Sequence, residues 1–153
     1  MGSVLVIDDD RSLRYFVTTA LEGIGLTVFS AETAEVGLDS VFQHKPDLVL
    51  LDIMLPGRSG LDILHDIQAI DRRLPVIFVT AESGSATAIE AMQLGAYDYL
   101  SKPLDLFELR QLAQTAIDSR RLMNMPVALS ADPAAELAGK FVYRLQSRNP
   151  GSL

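Results

Sequence analysis

The stretch that decides the fold is an apolar run that ends in three acids, Val4-Leu5-Val6-Ile7-Asp8-Asp9-Asp10. A second run of the same kind, residues 48–51, ends in Asp52. Short, continuously apolar runs are typical of strands that are buried on both faces of a parallel sheet. Because parallel strands end at one edge of their sheet, we expect Asp8, Asp9 and Asp52 to lie close together.

Two further strands are predicted to end in polar groups at the same edge. The run at residues 76–79 is followed by Thr80, and the run at residues 97–100 is followed by Ser101-Lys102-Pro103. A fifth strand begins near residue 27. Successive strands start about 20 to 30 residues apart, a spacing that leaves room for a crossover helix and favours parallel pairing over hairpins.

Apolar side chains at helical spacing fill the intervals between the strands. Helices are predicted over Arg11–Glu22, Ala34–Phe42, Leu61–Ile70 and Ser85–Gln93, with a fifth after Pro103. The alternation predicts an α/β fold, a doubly wound five-stranded parallel sheet with five flanking helices and a C-terminal helical tail. The residues predicted to face the core include Val36 and Phe42 of the second helix, Ile89 and Met92 of the fourth, and Leu106 of the fifth.

Composition sets limits on the function. The 153 residues are 48% hydrophobic, lack cysteine and carry a net charge of −7, with the acids concentrated before residue 124. An acidic body argues against direct binding to nucleic acid, and no apolar run is long enough for a membrane helix. The predicted strand begins too soon after Met1 to leave room for a signal peptide, so we expect a cytoplasmic protein.

The pattern changes after residue 123. We predict a domain over residues 1–123 and a separate segment over residues 124–153. Residues 124–132 are predicted to form a linker, and Asp132-Pro133 is typical of a helix start. The short amphipathic helix that follows would present Leu137, Phe141 and Leu145 for dimerisation or for docking to another domain, or would fold back onto its own domain.

The acids at the strand ends indicate a cation site. Two carboxylates about 5 Å apart repel by roughly 3 kcal/mol at an effective dielectric constant near 20, so three need a proton or a cation. Carboxylate oxygens with room for water and phosphate suit Mg²⁺. The alternative is that the acids of residues 8–10 only cap the first helix and that Asp52 is an ordinary loop acid.

Five separated motifs resemble the receiver domain of two-component response regulators, in the right order over about residues 3–120. They are Ile7-Asp8-Asp9, Leu51-Asp52-Ile53-Met54-Leu55-Pro56-Gly57, Gly60, Val79-Thr80-Ala81, and Lys102-Pro103. The resemblance implies a flavodoxin-like sheet with strand order 2-1-3-4-5. Residues 95–103 are most similar to receivers of nitrogen-regulator-type transcription activators.

The resemblance also implies roles for the acidic residues. Asp52 would be the nucleophile that takes a phosphoryl group from a phosphohistidine and becomes an acyl phosphate. Asp9 and Asp52 would bind Mg²⁺ through carboxylate oxygens, Asp8 mainly through water, and Met54 through its backbone carbonyl. The apolar side chain of Met54 cannot orient water, so we expect slow self-hydrolysis.

The remaining implied roles fall on the fourth and fifth strands. Lys102 would pair with phosphoryl oxygens, and Thr80 would donate a hydrogen bond to one of them. Thr80 and Tyr99 would form the switch, with the tyrosine turning inward when the threonine engages phosphate. The Lys102–Pro103 peptide would be cis. His44, predicted in a loop, and His65 are interpreted as ordinary surface residues.

The predicted function is therefore a phosphoacceptor switch and not a turnover enzyme. Its partners would be a sensor histidine kinase and an output domain or downstream protein, with possible homodimerisation through the fourth helix, fifth strand and fifth helix or through the tail helix. The alternative is a stand-alone receiver that acts as a phosphorelay intermediate or interaction switch. A metal-dependent phosphatase and a flavin-binding domain are the rivals from other classes.

Overall fold

The computed structural model describes residues 2–81 and 86–123, in which five strands alternate with five helices. The predicted linker and tail helix, residues 124–153, lie outside the described residues, as does the predicted helix start at Ser85. The elements are β1 (Ser3–Ile7), α1 (Arg11–Glu22), β2 (Thr27–Ala31), α2 (Ala34–His44), β3 (Leu48–Asp52), α3 (Gly60–Ile70), β4 (Val76–Thr80), α4 (Ala86–Gln93), β5 (Asp98–Ser101) and α5 (Leu106–Met123).

The five strands form one parallel sheet in the order β2-β1-β3-β4-β5. This confirms the predicted α/β class and strand order. Ile7 pairs with Leu51 and Thr80 with Ser101, so β1 and β3 end side by side, as do β4 and β5. The sheet lies within one compact unit, Met1–Arg120. The domain boundary after residue 123 stays a prediction.

Apolar side chains cover both faces of the sheet. Alternate residues of each strand point to opposite faces, so Leu5 and Ile7 join one core cluster and Val4 and Val6 the other. All residues of β3 and β4 are buried, which fits their position inside the sheet. Within residues 2–81 and 86–123, no helix is long and apolar enough to cross a membrane.

The predicted core faces of α2, α4 and α5 are wrong in part. Val36 and Phe42 are exposed, and α2 instead buries Ala34, Gly37 and Val41. A Cβ atom at Gly37 would lie 2.5 Å from Cδ1 of Ile7, so only glycine allows this approach to β1. The contact at Gly37 brings α2 close to β1, and Val36 and Phe42 lie on the exposed side of the helix.

In α4 the helical spacing correctly predicts that Ala88 is buried, together with Ala91, whereas Ile89 and Met92 are exposed. Small residues bring this helix near the sheet and leave its larger apolar side chains in solvent. In α5 the buried residues are Leu109, Ala113, Ala116 and Ile117, whereas Leu106 is exposed.

Two arginines tie α5 to the rest of the sheet domain. The Arg110 side chain donates a hydrogen bond from Nε to the carbonyl oxygen of Ala20, near the end of α1, at 2.8 Å. Arg120 lies nearer the end of α5, and its Nη2 donates to Oδ2 of Asp71 at 2.8 Å while its Nε lies 3.9 Å from Oδ1 of Asp47. Asp47 in turn accepts the backbone N–H of Ser3, at the start of β1, at 2.9 Å.

The loop between β3 and α3 contains two glycines with different roles. Gly57 has a φ of +83°, which L residues rarely adopt, and a Cβ atom there would meet nothing within 4 Å. Gly60 donates its N–H to the carbonyl oxygen of Ile53 at 3.1 Å. A Cβ atom at Gly60 would lie 2.7 Å from Cα of Ile53, so the start of α3 touches the backbone next to Asp52.

We expect Gly60→Ala to lower the free energy of unfolding by about 3 kcal/mol, because it overpacks the Ile53 backbone and strains a hydrogen bond. Gly57→Ala is the matched control and should cost only about 1 to 2 kcal/mol, from the positive φ alone. Urea unfolding followed by circular dichroism measures both. Equal losses would show that the close approach to Ile53 does not constrain this loop.

Candidate functional site

The carboxyl edge of the sheet brings the predicted acidic residues together. Asp8 directly follows β1 and Asp52 is the last residue of β3, the neighbouring strand. Both are buried, whereas Asp9 is exposed. One carboxylate oxygen from each of Asp8, Asp9 and Asp52 lies within 4.8 Å of the other two. The site therefore forms because two adjacent parallel strands each end in an acid.

Asp8 and Asp52 use their carboxylate oxygens in the same way. Oδ1 of Asp8 accepts the backbone N–H of Asp10 at 2.8 Å, and Oδ1 of Asp52 accepts that of Met54 at 3.0 Å. The other oxygen of each faces Lys102, whose Nζ lies 3.3 Å from Oδ2 of Asp8 and 3.5 Å from Oδ2 of Asp52. Each carboxylate thus fixes its own turn with one oxygen and meets a shared ammonium group with the other.

Lys102 reaches the acids from the end of β5. Its backbone N–H donates to the carbonyl oxygen of Thr80 at 2.8 Å, which continues the pairing of β4 and β5 by one residue. The peptide bond between Lys102 and Pro103 is cis. The side chain is partly buried and spans the two strands between β5 and Asp8.

Burial and mutual repulsion shift the pKa of Asp8. Burial raises the pKa of this carboxyl above its ordinary value and the nearby Asp52 adds to the rise, while the Asp10 N–H and Lys102 oppose it without outweighing it. Burial alone would lower the pKa of Lys102, but the charges of Asp52 and Asp8 more than compensate and raise it. Lys102 therefore stays charged and neutralises the site only in part.

The donor set fits a hard divalent cation. Three carboxyl groups face one ammonium group, so negative charge is in excess. Oδ2 of Asp8 is buried and meets Nζ of Lys102 at 3.3 Å, with no well-formed hydrogen bond from the residues that the structure describes. Oxygen donors with one exposed member, Asp9, leave room for water or a ligand, the arrangement that Mg²⁺ prefers. The cluster can therefore hold a cation.

Asp10 has a different role from its neighbours. It is the N-cap residue of α1, and its Oδ1 accepts the backbone N–H groups of Ser12 at 2.9 Å and Leu13 at 3.3 Å. The helix-capping alternative thus applies to Asp10 and does not account for Asp8 or Asp52.

Thr80 and Tyr99, the two predicted switch residues, lie on neighbouring strands. Thr80 is buried at the end of β4. Tyr99 is partly buried in β5 and packs against one core cluster. Tyr99 also lines an open cleft of about 440 Å³, together with Ser101, Leu112 and Thr115. Tyr99 therefore stands between the core and the surface formed by β5 and α5.

The histidines lie away from the acidic site. His44 was predicted in a loop, but it is the last residue of α2 and its ring stacks on that of Phe29, with the centroids 4.1 Å apart. His65 is exposed on α3, with Nδ1 3.8 Å from Oδ1 of Asp66. Neither histidine belongs to the carboxylate cluster of Asp8, Asp9 and Asp52.

Sequence reasoning missed Arg14 beside the site. Its Nη1 donates a hydrogen bond to the backbone carbonyl oxygen of Asp8 at 2.7 Å. The only signal in the sequence is an arginine one turn into the helix that follows an acidic strand end. That pattern alone is equally typical of a solvated helix face.

Comparison with known proteins identifies the class that this fold and site define. The chain matches the response regulator receiver domain over residues 4–114 and belongs to that family. It therefore carries the receiver domain of a two-component response regulator.

The relatives are transcription regulators. The KDP operon transcriptional regulatory protein KdpE of Escherichia coli K12 is 36% identical over 146 residues, which is 94% of this chain and 64% of that protein. The DNA-binding transcriptional regulator NtrC of the same strain is 37% identical over 140 residues, which is 91% of this chain and 30% of that protein. The chain thus spans less than two thirds of the length of either relative.

Solved structures agree on the fold. A response regulator receiver domain protein from Clostridium thermocellum superposes with a TM-score of 0.76 at 32% identity, covering 80% of this chain and 99% of that one. The similarity to the nitrogen-regulator relative also agrees with the subfamily resemblance of residues 95–103.

We expect Asp8→Asn to raise the thermal midpoint of the metal-free protein near neutral pH. The folded protein holds the Asp8 proton more tightly than the unfolded chain does, so stability falls as pH rises from about 3.8 through the higher folded pKa. Asparagine cannot ionise and keeps the Oδ1 acceptor. Thermal unfolding in a chelator, measured from acidic to neutral pH, should show a gain that disappears at the acidic end. A gain independent of pH would contradict this origin.

Proposed function

We propose that Asp52 is the phosphoacceptor of this receiver, and that the phosphoryl group comes from a phosphohistidine of a sensor histidine kinase. The single observation that carries the proposal is the placement of Oδ2 of Asp52, 3.5 Å from Nζ of Lys102, within the Asp8–Asp9–Asp52 cluster. A nucleophilic oxygen therefore lies beside the ammonium group of Lys102 and beside carboxylates that could hold a metal cation.

In the proposed reaction a carboxylate oxygen of Asp52 attacks phosphorus while the bond from phosphorus to the histidine nitrogen breaks. The products are an acyl phosphate and a free imidazole. Lys102 stabilises the charge that spreads over the phosphoryl oxygens, which is where catalysis of phosphoryl transfer mostly lies. Bound Mg²⁺, held by Asp8, Asp9, Asp52 and the Met54 carbonyl, would neutralise the rest of that charge.

The chain is proposed to act as a switch and not as a turnover enzyme. A phosphoryl group adds close to two negative charges beside Thr80 and Lys102. Thr80 would donate its hydroxyl to one phosphoryl oxygen, and Tyr99 would turn from its partly buried position toward the core. The exposed side chain of Met54 offers no group that could orient an attacking water, which supports slow self-hydrolysis.

The proposed readout is the surface of α4, β5 and α5. Ile89, Met92 and Leu94 lie exposed on or next to α4, and a shift of this helix would reshape an apolar surface for an output domain, a downstream protein or a second copy. The relatives regulate transcription, so we place the protein in the cytoplasm with transcription control as its output. A stand-alone receiver in a phosphorelay is the second candidate, and no specific observation favours it.

We expect acetyl phosphate with Mg²⁺ to phosphorylate the wild-type protein and not Asp52→Asn, as read by intact mass and by a label that alkali or hydroxylamine removes. Asp10→Asn is the matched control: it removes an acid from the same run yet can still cap α1, so it should be phosphorylated at close to the wild-type rate.

The same samples test the rival functions. Beryllofluoride with Mg²⁺ should shift the amide resonances of Thr80 and Tyr99 in the wild-type protein and leave those of Asp52→Asn in place. Equal labelling of Asp52→Asn, repeated turnover of a phosphate ester, or tight binding of a flavin would contradict the proposal.

A further inference from the structure

Four polar atoms of Asp8 have four different neighbours. Its backbone N–H donates to the carbonyl oxygen of Ala31 in β2 at 3.0 Å, and its Oδ1 accepts the N–H of Asp10. Its carbonyl oxygen accepts from Nη1 of Arg14 at 2.7 Å. Only Oδ2 is left to face Lys102 and a cation. Three hydrogen bonds therefore hold Asp8 in place. Arg14 is the only one of the three partners that contributes through its side chain.

The contact of Arg14 is with the backbone and not with a carboxylate. The carbonyl that it binds belongs to the peptide group that joins Asp8 to Asp9. Fixing that carbonyl fixes the plane of the peptide and the N–Cα bond of Asp9. The hydrogen bond from the Asp10 N–H to Oδ1 of Asp8 restrains the next peptide, so the Cα–Cβ bond of Asp9 is restrained between two held peptide groups. Asp9 is the exposed member of the cluster.

Arg14 itself is well anchored. It lies one turn into α1, where its backbone N–H donates to the carbonyl oxygen of Asp10 at 3.1 Å and its own carbonyl accepts the hydroxyl of Thr18 at 2.8 Å. Val17, on the next turn, is buried against the sheet. The guanidinium is thus presented from a rigid helix, as a positioning group needs to be.

We propose that Arg14 is a positioning residue for the metal site: it holds the Asp8–Asp9 peptide in the orientation that lets Asp9 bind Mg²⁺. The proposal rests on the proposed function, because it concerns the cation that phosphoryl transfer to Asp52 requires. Groups that orient metal ligands from behind typically change metal affinity by about 10-fold or more when they are removed.

The direction in which the Mg²⁺ affinity changes distinguishes a positioning role of Arg14 from an effect of its charge. Removing a positive charge near an acidic cluster should, by Coulomb attraction alone, tighten the binding of a cation. Removing a group that orients a ligand should weaken it. Arg14→Ala does both, and we expect the loss of orientation to dominate, with the Kd for Mg²⁺ rising roughly 10-fold.

Two other arginines of the protein serve as matched controls. Arg11→Ala removes the same charge from the exposed first residue of α1, and should leave the Kd for Mg²⁺ unchanged or slightly lower. Arg110→Ala removes an equivalent arginine-to-carbonyl hydrogen bond, to Ala20 at the other end of α1. It should lower the thermal midpoint much as Arg14→Ala does, with no change in Mg²⁺ affinity. Arg14→Lys keeps the charge and one donor, and should restore affinity in part.

The experiment titrates Mg²⁺ alone into each 153-residue chain by calorimetry, well below the thermal midpoint. Hydrogen exchange at the amides of Asp9 and Asp10 in the metal-free protein gives a second reading, which should be faster in Arg14→Ala than in Arg110→Ala. At saturating Mg²⁺, phosphorylation of Arg14→Ala by acetyl phosphate should return to within a few-fold of wild type.

The outcomes distinguish this proposal from the proposed function. One outcome is that the wild-type protein binds no Mg²⁺, and another is that the Asp52→Asn and Asp8→Asn variants bind Mg²⁺ as tightly as the wild type does. In either case the proposed function fails, and the role of Arg14 fails with it. If the wild type binds Mg²⁺ but Arg14→Ala binds it as tightly, or Arg110→Ala weakens it equally, the proposed function stands and Arg14 has only a structural role. Weaker binding and faster exchange confined to Arg14→Ala support the proposal.

Discussion

Two buried carboxylates share one ammonium group at the carboxyl edge of the sheet, and the other features of the site follow from that shortage of positive charge. The register that pairs Ile7 with Leu51 forces Asp8 and Asp52 together, and Lys102 arrives from β5 to meet both. Burial raises the pKa of Asp8, so the metal-free site opposes its own ionisation. Packing of the surrounding core maintains this arrangement, because the strands that end there are buried on both faces. A site of this kind favours cation binding since a cation relieves repulsion that the fold cannot avoid.

The sequence was sufficient for the order and type of the elements, because short continuous apolar runs alternate along it with longer stretches that have a helical period. It was less informative about which helix face is buried. Gly37 in α2 and the alanines Ala88 and Ala91 in α4 pack against the sheet, while larger apolar neighbours such as Phe42 stay in solvent. Hydrophobicity ranks these residues in the opposite order. The deciding quantity is the distance between helix and sheet, which depends on both partners and cannot be obtained from one segment.

The residues of the candidate site could be predicted because parallel strands end at one edge, and a polar residue after each apolar run marks that edge. The contacts that orient them could not. Arg14 and the Oδ1 atoms of Asp8 and Asp52 bond to backbone groups. Every residue has such groups, so the sequence does not indicate which of them a side chain will bind. His44 shows the same limit, since its stacking on Phe29 joins residues from two elements that no short motif links.

The ion pairs of Arg120 lie at the opposite edge of the sheet, where strands begin. They connect the last turns of α5 to Asp71 and Asp47, and through Asp47 to the first residue of β1. Opening the last turn of α5 would therefore break its contacts with both Asp71 and Asp47 and, through Asp47, its link to β1. This end of the helix should therefore open less readily than a helix end held by backbone hydrogen bonds alone.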